Sequence, residues 1–171
     1  MGTVATDDAV GFDPIPLLRA MHENGARVVV MGQVAGIMHG SRELTGDLDL
    51  LWDGEVVHAD SLVGAFTSVS ATLSDMDGRS IACDTRAFSR PKVLFRSELA
   101  SGDCCSPALP WGSVPIRDFL DRCCVAKGDG LEIRFVRRVD LICMRRAAGR
   151  VKDLRRAQEL IERAVPTNPS A

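Results

Sequence analysis

The chain has 171 residues, 21 Lys and Arg against 23 Asp and Glu, and 46% apolar residues of which few are aromatic. That suffices for one domain with its own core and is too little for two ordinary ones. It also excludes a membrane span of roughly 20 apolar residues, a global electrostatic pull toward nucleic acid and, with no tyrosine, stacking platforms for single strands.

Residues 1 to 12 are small and polar, lack the basic start and apolar core of a secretion signal, and read as a loose leader, so a cytoplasmic location is expected. Asp13-Pro14 opens a helix, with Asp13 placed to cap free N–H groups and Pro14 preset for the first helical position. The helix carries an apolar stripe of Ile15, Leu18 and Met21 and ends at Gly25. Val28 to Met31 is a β-branched strand ending at Gly32, and Gln33 to Gly40 allows about two helical turns. Gly46 to Trp52 reads as the next strand. Side chains two apart on a strand share a face, which makes Asp47 and Asp49 neighbours while Leu48 and Leu50 turn the other way.

Leu62, Val63, Phe66, Val69 and Leu73 fall at helical spacing over 61–73, and strands are expected over 80–85 and 92–98. Residues 102–112, rich in Gly, Cys and Pro, read as a long irregular stretch that could wall a pocket. A short helix over 116–125, a strand over 131–136 and, over 140–148 and 151–164, one broken helix or two consecutive ones around Gly149 complete a domain of residues 13–165. The expected tail is 166–171. Six cysteines without C-x-x-C spacing read as free, partly buried thiols.

Two carboxylates side by side repel and raise one another's pKa unless a cation lies between them, and a hard divalent ion is the natural third party. Such an ion takes its remaining ligands from water and phosphate. A strand that ends in glycine and turns directly into a helix leaves free backbone N–H groups for a phosphate. Nine Arg and Lys between Arg134 and Arg156, against only Asp140 and Asp153, form either a solvated helix face or the lining of an acidic ligand.

The order of apolar strand, Gly32, short helix with His39-Gly40, then Arg42-x-x-Thr45-x-Asp47-x-Asp49 resembles the minimal nucleotidyltransferases of the polymerase-beta-like superfamily, closest to small bacterial members that include abortive-infection toxins. Residues 139–145 and 149–154 resemble that family's closing helices. The resemblance implies an α/β (α+β) nucleotidyltransferase fold, a small mixed β-sheet with flanking helices. It implies transfer of a nucleoside monophosphate from an NTP to a hydroxyl, with Mg²⁺ or Mn²⁺ on Asp47 and Asp49 and with Gly32, Gln33, His39, Arg42 and Thr45 toward the nucleotide. The family supplies a third carboxylate from a later strand. The strand here reads Val93-Leu94-Phe95-Arg96-Ser97-Glu98, so Glu98 is the first candidate, with Asp103 and Asp84 behind it. Gln33 stands where the family has a second small residue. The acceptor implied is a partner protein, a transfer RNA end or a small hydroxylated molecule such as an aminoglycoside. The alternative is a catalytically silent relative that binds a nucleotide or a protein partner, as half of a toxin–antitoxin pair. Oligomeric state is not legible in the sequence.

Overall fold

The structure, a computed structural model, describes residues 9 to 164. The first eight residues of the expected leader and the expected tail lie outside them. Among the described residues the chain forms six α-helices and one mixed sheet of eight strands, ordered β4-β3-β5-β6-β2-β1-β8-β7. This sheet is larger than the small one expected. No helix among the described residues is long and apolar enough to cross a membrane.

Helix α1 (Ile15–Glu23) starts where Asp13 accepts the Ile15 N–H at 2.9 Å. It leads into β1 (Val28–Met31), α2 (Gly32–Met38) and β2 (Asp47–Trp52). Strand β2 lies at the heart of the sheet, antiparallel to β1 and parallel to β6 (Ser101–Cys105). Leu48 and Leu50 are fully buried on one face, where Trp52 joins Phe66, Phe88 and Phe95 in an aromatic cluster with ring centroids 5.1 to 5.9 Å apart. Phe66 reaches that cluster from α3 (Ala59–Ser68). Edge and tilted ring contacts of this kind add to the area they bury.

Several strands depart from the sequence expectation. The apolar stripe of α3 continues into Leu73, yet the helix stops at Val69 because Ser70 adopts a left-handed backbone (φ 52°), and β3 (Thr72–Ser74) begins two residues later. Strand β5 (Lys92–Arg96) ends before Glu98, since Ser97 and Ala100 close a hairpin through Ser97 N–H to Ala100 O at 2.7 Å and Ser97 Oγ to the same oxygen at 3.0 Å. The chain returns as β6, within the stretch expected to be irregular. There a Cβ on Gly102 would stand 1.9 Å from Leu48 O, so only glycine permits this close strand approach. The expected helix over 116–125 is shortened to α4 (Ile116–Asp121), and Cys124 onward forms the hairpin β7 (Cys124–Gly128) with β8 (Leu131–Phe135). Strand β4 (Ser80–Ile81) is a short edge.

The closing helices α5 (Arg138–Ala148) and α6 (Val151–Ala164) break at Gly149, whose φ of 68° forms a left-handed cap. Together with α2 they stand over the face of β2 that carries Asp47 and Asp49.

Candidate active site

Strand alternation sends Asp47 and Asp49 to the face opposite Leu48 and Leu50. The parallel pairing of β2 with β6 sets Asp49 directly opposite Asp103, and the antiparallel pairing of β5 with β6 brings Lys92 alongside. Three carboxylates therefore share one face of two adjacent strands. Burial, then the charges of Asp103 and Asp47, push the Asp49 carboxyl up to about 6. Lys92 Nζ lies 2.5 Å from Asp103 Oδ2. Burial works against its ammonium, but the bond to Asp103 and the nearby charges outweigh it and hold the amine above its ordinary value.

Gly32 brings the turn between β1 and α2 against this group. Its φ is 62°, and a Cβ there would sit 1.9 Å from Asp49 Oδ2. Gln33, next in the chain, is almost fully buried. Its amide nitrogen donates to Ser41 Oγ at 2.9 Å and Glu43 O at 2.7 Å, and its oxygen accepts from Arg145 Nη2 at 2.6 Å. The loop that follows α2 is then clamped from α6. Ser41 Oγ donates to Glu159 at 2.7 Å, the Arg42 N–H donates to the same carboxylate at 3.1 Å, and Glu43 pairs with Arg155 at 2.9 Å and Arg156 at 2.6 Å. This network delivers Thr45 and Asp47 to the cleft, where Thr45 Oγ1 accepts the Asp47 N–H at 3.2 Å.

The resulting cleft has a volume of about 800 Å³, within the usual range for ligand sites. Asp47, Asp49 and Asp103 line the sheet side; Arg145, Arg150, Lys152 and Arg156 line the helical side; Leu109, Pro110 and Trp111 form an apolar lip. Arg145 is only 5% exposed and donates to Gln33, Gly32 O and Arg156 O; burial first, then the charge of Arg156, brings it down to about 10. Lys152 is exposed at the rim with no ion pair among the described residues, and Arg156 Nε is buried there without a hydrogen-bond partner. A second hollow, about 500 Å³, lies between α1 and β8, but its charges are of both signs: Asp53 already binds His58, and Glu132 binds Lys127 and Arg134.

Of the residues singled out from sequence, Gly32, Gln33, Thr45, Asp47 and Asp49 line this cleft. Arg42 does not; its side chain is exposed and only its backbone is engaged, because the clamp from Glu159 takes the N–H and leaves the guanidinium outside. His39 faces away as well, with Nε2 bonded to Val136 O at 2.8 Å and its ring 5.1 Å from Phe135, and burial lowers its pKa. Glu98 is exposed in the β5–β6 turn, outside the cleft, because the strand that would have carried it inward ends at Arg96. Asp84 caps the 3-10 turn Thr85–Ser89 and pairs with Arg86. The third acid of the cleft is Asp103. Lys92 was not legible in the sequence as a site residue; it opens β5 on the half-buried face it shares with Leu94.

The six cysteines are free. Cys105 reaches the cleft wall, but burial pushes its thiol up to about 12, leaving no thiolate for chemistry.

Among the described residues no three His, Cys, Asp or Glu side chains converge closely enough to enclose a metal ion by themselves. The donors at hand, all carboxylate oxygens on one face, are those a hard cation uses when water and phosphate complete its shell. No protein-family model and no curated protein sequence matches the chain.

Proposed function

We propose that this chain is a metal-dependent nucleotidyltransferase of the polymerase-beta-like type, which moves a nucleoside monophosphate from an NTP to a hydroxyl acceptor. The observation that carries the reading is the division of one cleft into an acidic sheet wall, Asp47, Asp49 and Asp103, and a basic helical wall from α5 and α6. A triphosphate needs both walls: cations for its oxygens, and carboxylates for the divalent ion that accompanies it.

Asp47 and Asp49 would hold Mg²⁺ or Mn²⁺, and the ion would supply positive charge against the negative charge growing on the leaving pyrophosphate. The raised carboxyl of Asp49 fits this role, since a cation beside it would relieve both the burial and the repulsion that raise it. Lys152, without an ion pair among the described residues, and Arg156, whose Nε has no hydrogen-bond partner, offer donors to the phosphates in the cleft that Gly32 also lines. Asp103 is placed to accept the proton of an acceptor hydroxyl. Arg145 stays out of the reaction; its guanidinium is consumed in holding Gln33 and the Gly32 carbonyl.

A second reading rests on Lys92. An ammonium at 2.5 Å from Asp103 occupies the third acid, as in a silent relative that binds a nucleotide or a partner without transferring it, including half of a toxin–antitoxin pair. Incubation with each α-³²P-labelled NTP, Mg²⁺ or Mn²⁺ and a cell lysate separates the two. Label on a protein, a transfer RNA or a small hydroxylated molecule supports transfer; saturable binding with no pyrophosphate released supports the silent form.

A further inference from the structure

Lys92 lines the cleft on its acidic side. It lies on β5, diagonal to Asp103, on the face that also carries Asp49. Its side chain is 24% exposed and that of Asp103 is 29% exposed, so the pair is sheltered at the cleft wall rather than waving in solvent. Asp103 Oδ2 is engaged by Nζ at 2.5 Å, which removes an oxygen that a second cation would need. A divalent ion placed between Asp49 and Asp103 would also have to stand within a few ångströms of the ammonium, and two like charges that close repel strongly wherever water is partly excluded.

We propose that Lys92 is a built-in substitute for a second metal ion: the cleft works with a single divalent cation on Asp47 and Asp49, and the Lys92 ammonium supplies the positive charge beside Asp103 and the attacking oxygen. This rests on the transferase reading and specifies its mechanism. In the step it serves, the acceptor O–H bond breaks and its proton passes to the Asp103 carboxylate. The freed electron pair on oxygen forms the bond to the α-phosphorus. The bond from that phosphorus to the bridging oxygen breaks, and pyrophosphate leaves with its electron pair. No oxidant or further reactant is required. Lysine suits this place because its compact ammonium carries three donors and resembles a point charge, whereas the planar fork of arginine spreads the charge over more space.

The test counts ions. The full chain is titrated with Mn²⁺ in the presence of saturating α,β-methylene analogues of ATP, GTP, CTP and UTP, with free Mn²⁺ read by electron paramagnetic resonance and heat by calorimetry. The parent and Lys92→Arg are expected to take one Mn²⁺ per chain, Lys92→Gln two, and Lys92→Gln combined with Asp103→Asn one again. Thermal melting accompanies each variant, and if Lys92→Gln does not fold the parent's count alone decides. Two ions in the parent, or only one in a folded Lys92→Gln, overturn the lysine proposal and leave the transferase reading standing. A parent that takes neither Mn²⁺ nor analogue overturns both.

Discussion

Gly32 and Asp49 meet across the β1–β2 pair so closely that one defines what the other can be: a Cβ on Gly32 would fall 1.9 Å from Asp49 Oδ2, while Met31 beside it is the pairing partner of Asp49. The glycine is thus required twice, for its positive φ and for the room its missing side chain leaves to a carboxylate. Gly32→Ala is expected to cost about 2 to 3 kcal/mol, the upper part of the range for a strained backbone position, with Asp49 displaced. Asp49→Gly should return part of that cost. A double-mutant cycle by denaturant unfolding checks this; additive losses would show that the two positions do not interact.

Asp49 is also where function and stability oppose each other. Its carboxyl stands at about 6 in the folded chain against an ordinary 3.8. The folded state therefore holds the proton more tightly than the unfolded state, so the contribution is complete below pH 4 and is lost as pH rises through 6. Above that the ionised group costs up to about 2 to 3 kcal/mol. Asp49→Asn should accordingly raise the melting temperature by several degrees at pH 7.5 and change it little at pH 4. Melting curves at the two pH values decide; equal shifts at both would refute the assigned cause.

Gln33 departs from the small residue that the family resemblance led us to expect, and its surroundings explain why. It satisfies the buried Arg145 and holds Ser41 and the Glu43 carbonyl. Replacing it with glycine, a small residue of the kind in the resembled pattern, leaves a buried guanidinium short of a partner, a loss of about 3 kcal/mol. Urea unfolding measures this. A loss below about 1 kcal/mol would mean that Arg145 finds water or another acceptor.

Glu98 and Asp103 should behave in opposite ways. Glu98→Gln, on an exposed turn, is expected to change stability by less than about 0.5 kcal/mol and to leave transfer intact. Asp103→Asn removes the proton acceptor and should lower transfer by about 100-fold or more, within the range for general-base loss. Rates of pyrophosphate release compare them directly, and a Glu98→Gln loss as large as that of Asp103→Asn would return the third acid to the turn.

That exchange of acids shows where the amino-acid pattern is informative and where it is not. Asp47 and Asp49 were legible because apolar Leu48 and Leu50 alternate with them, and burial on one face enforces that alternation. Asp103 stood only as a loop candidate behind Glu98, because β6 reads Ser-Gly-Asp-Cys-Cys, poor in β-branched residues, and does not announce a strand. Its place in the sheet comes from tertiary contact: Gly102 admits the Leu48 carbonyl, and Cys104 and Cys105 pack as small apolar residues. Treating those two cysteines as core would have been the one signal for the strand. The break after α3 turned on a left-handed Ser70, and no property of serine announces that conformation. The role of Gln33 depended on Arg145, 112 residues away, a partnership with no local trace.

The most direct test of the central claim is calorimetric binding of Mg²⁺–NTP to the parent and to folded Asp47→Asn and Asp49→Asn variants. The parent is expected to bind at least one NTP saturably and with Mg²⁺ dependence, and each variant to bind about 100-fold more weakly, which corresponds to about 2.7 kcal/mol. Variants that bind the nucleotide as tightly as the parent would place its site away from the acidic wall and contradict the account.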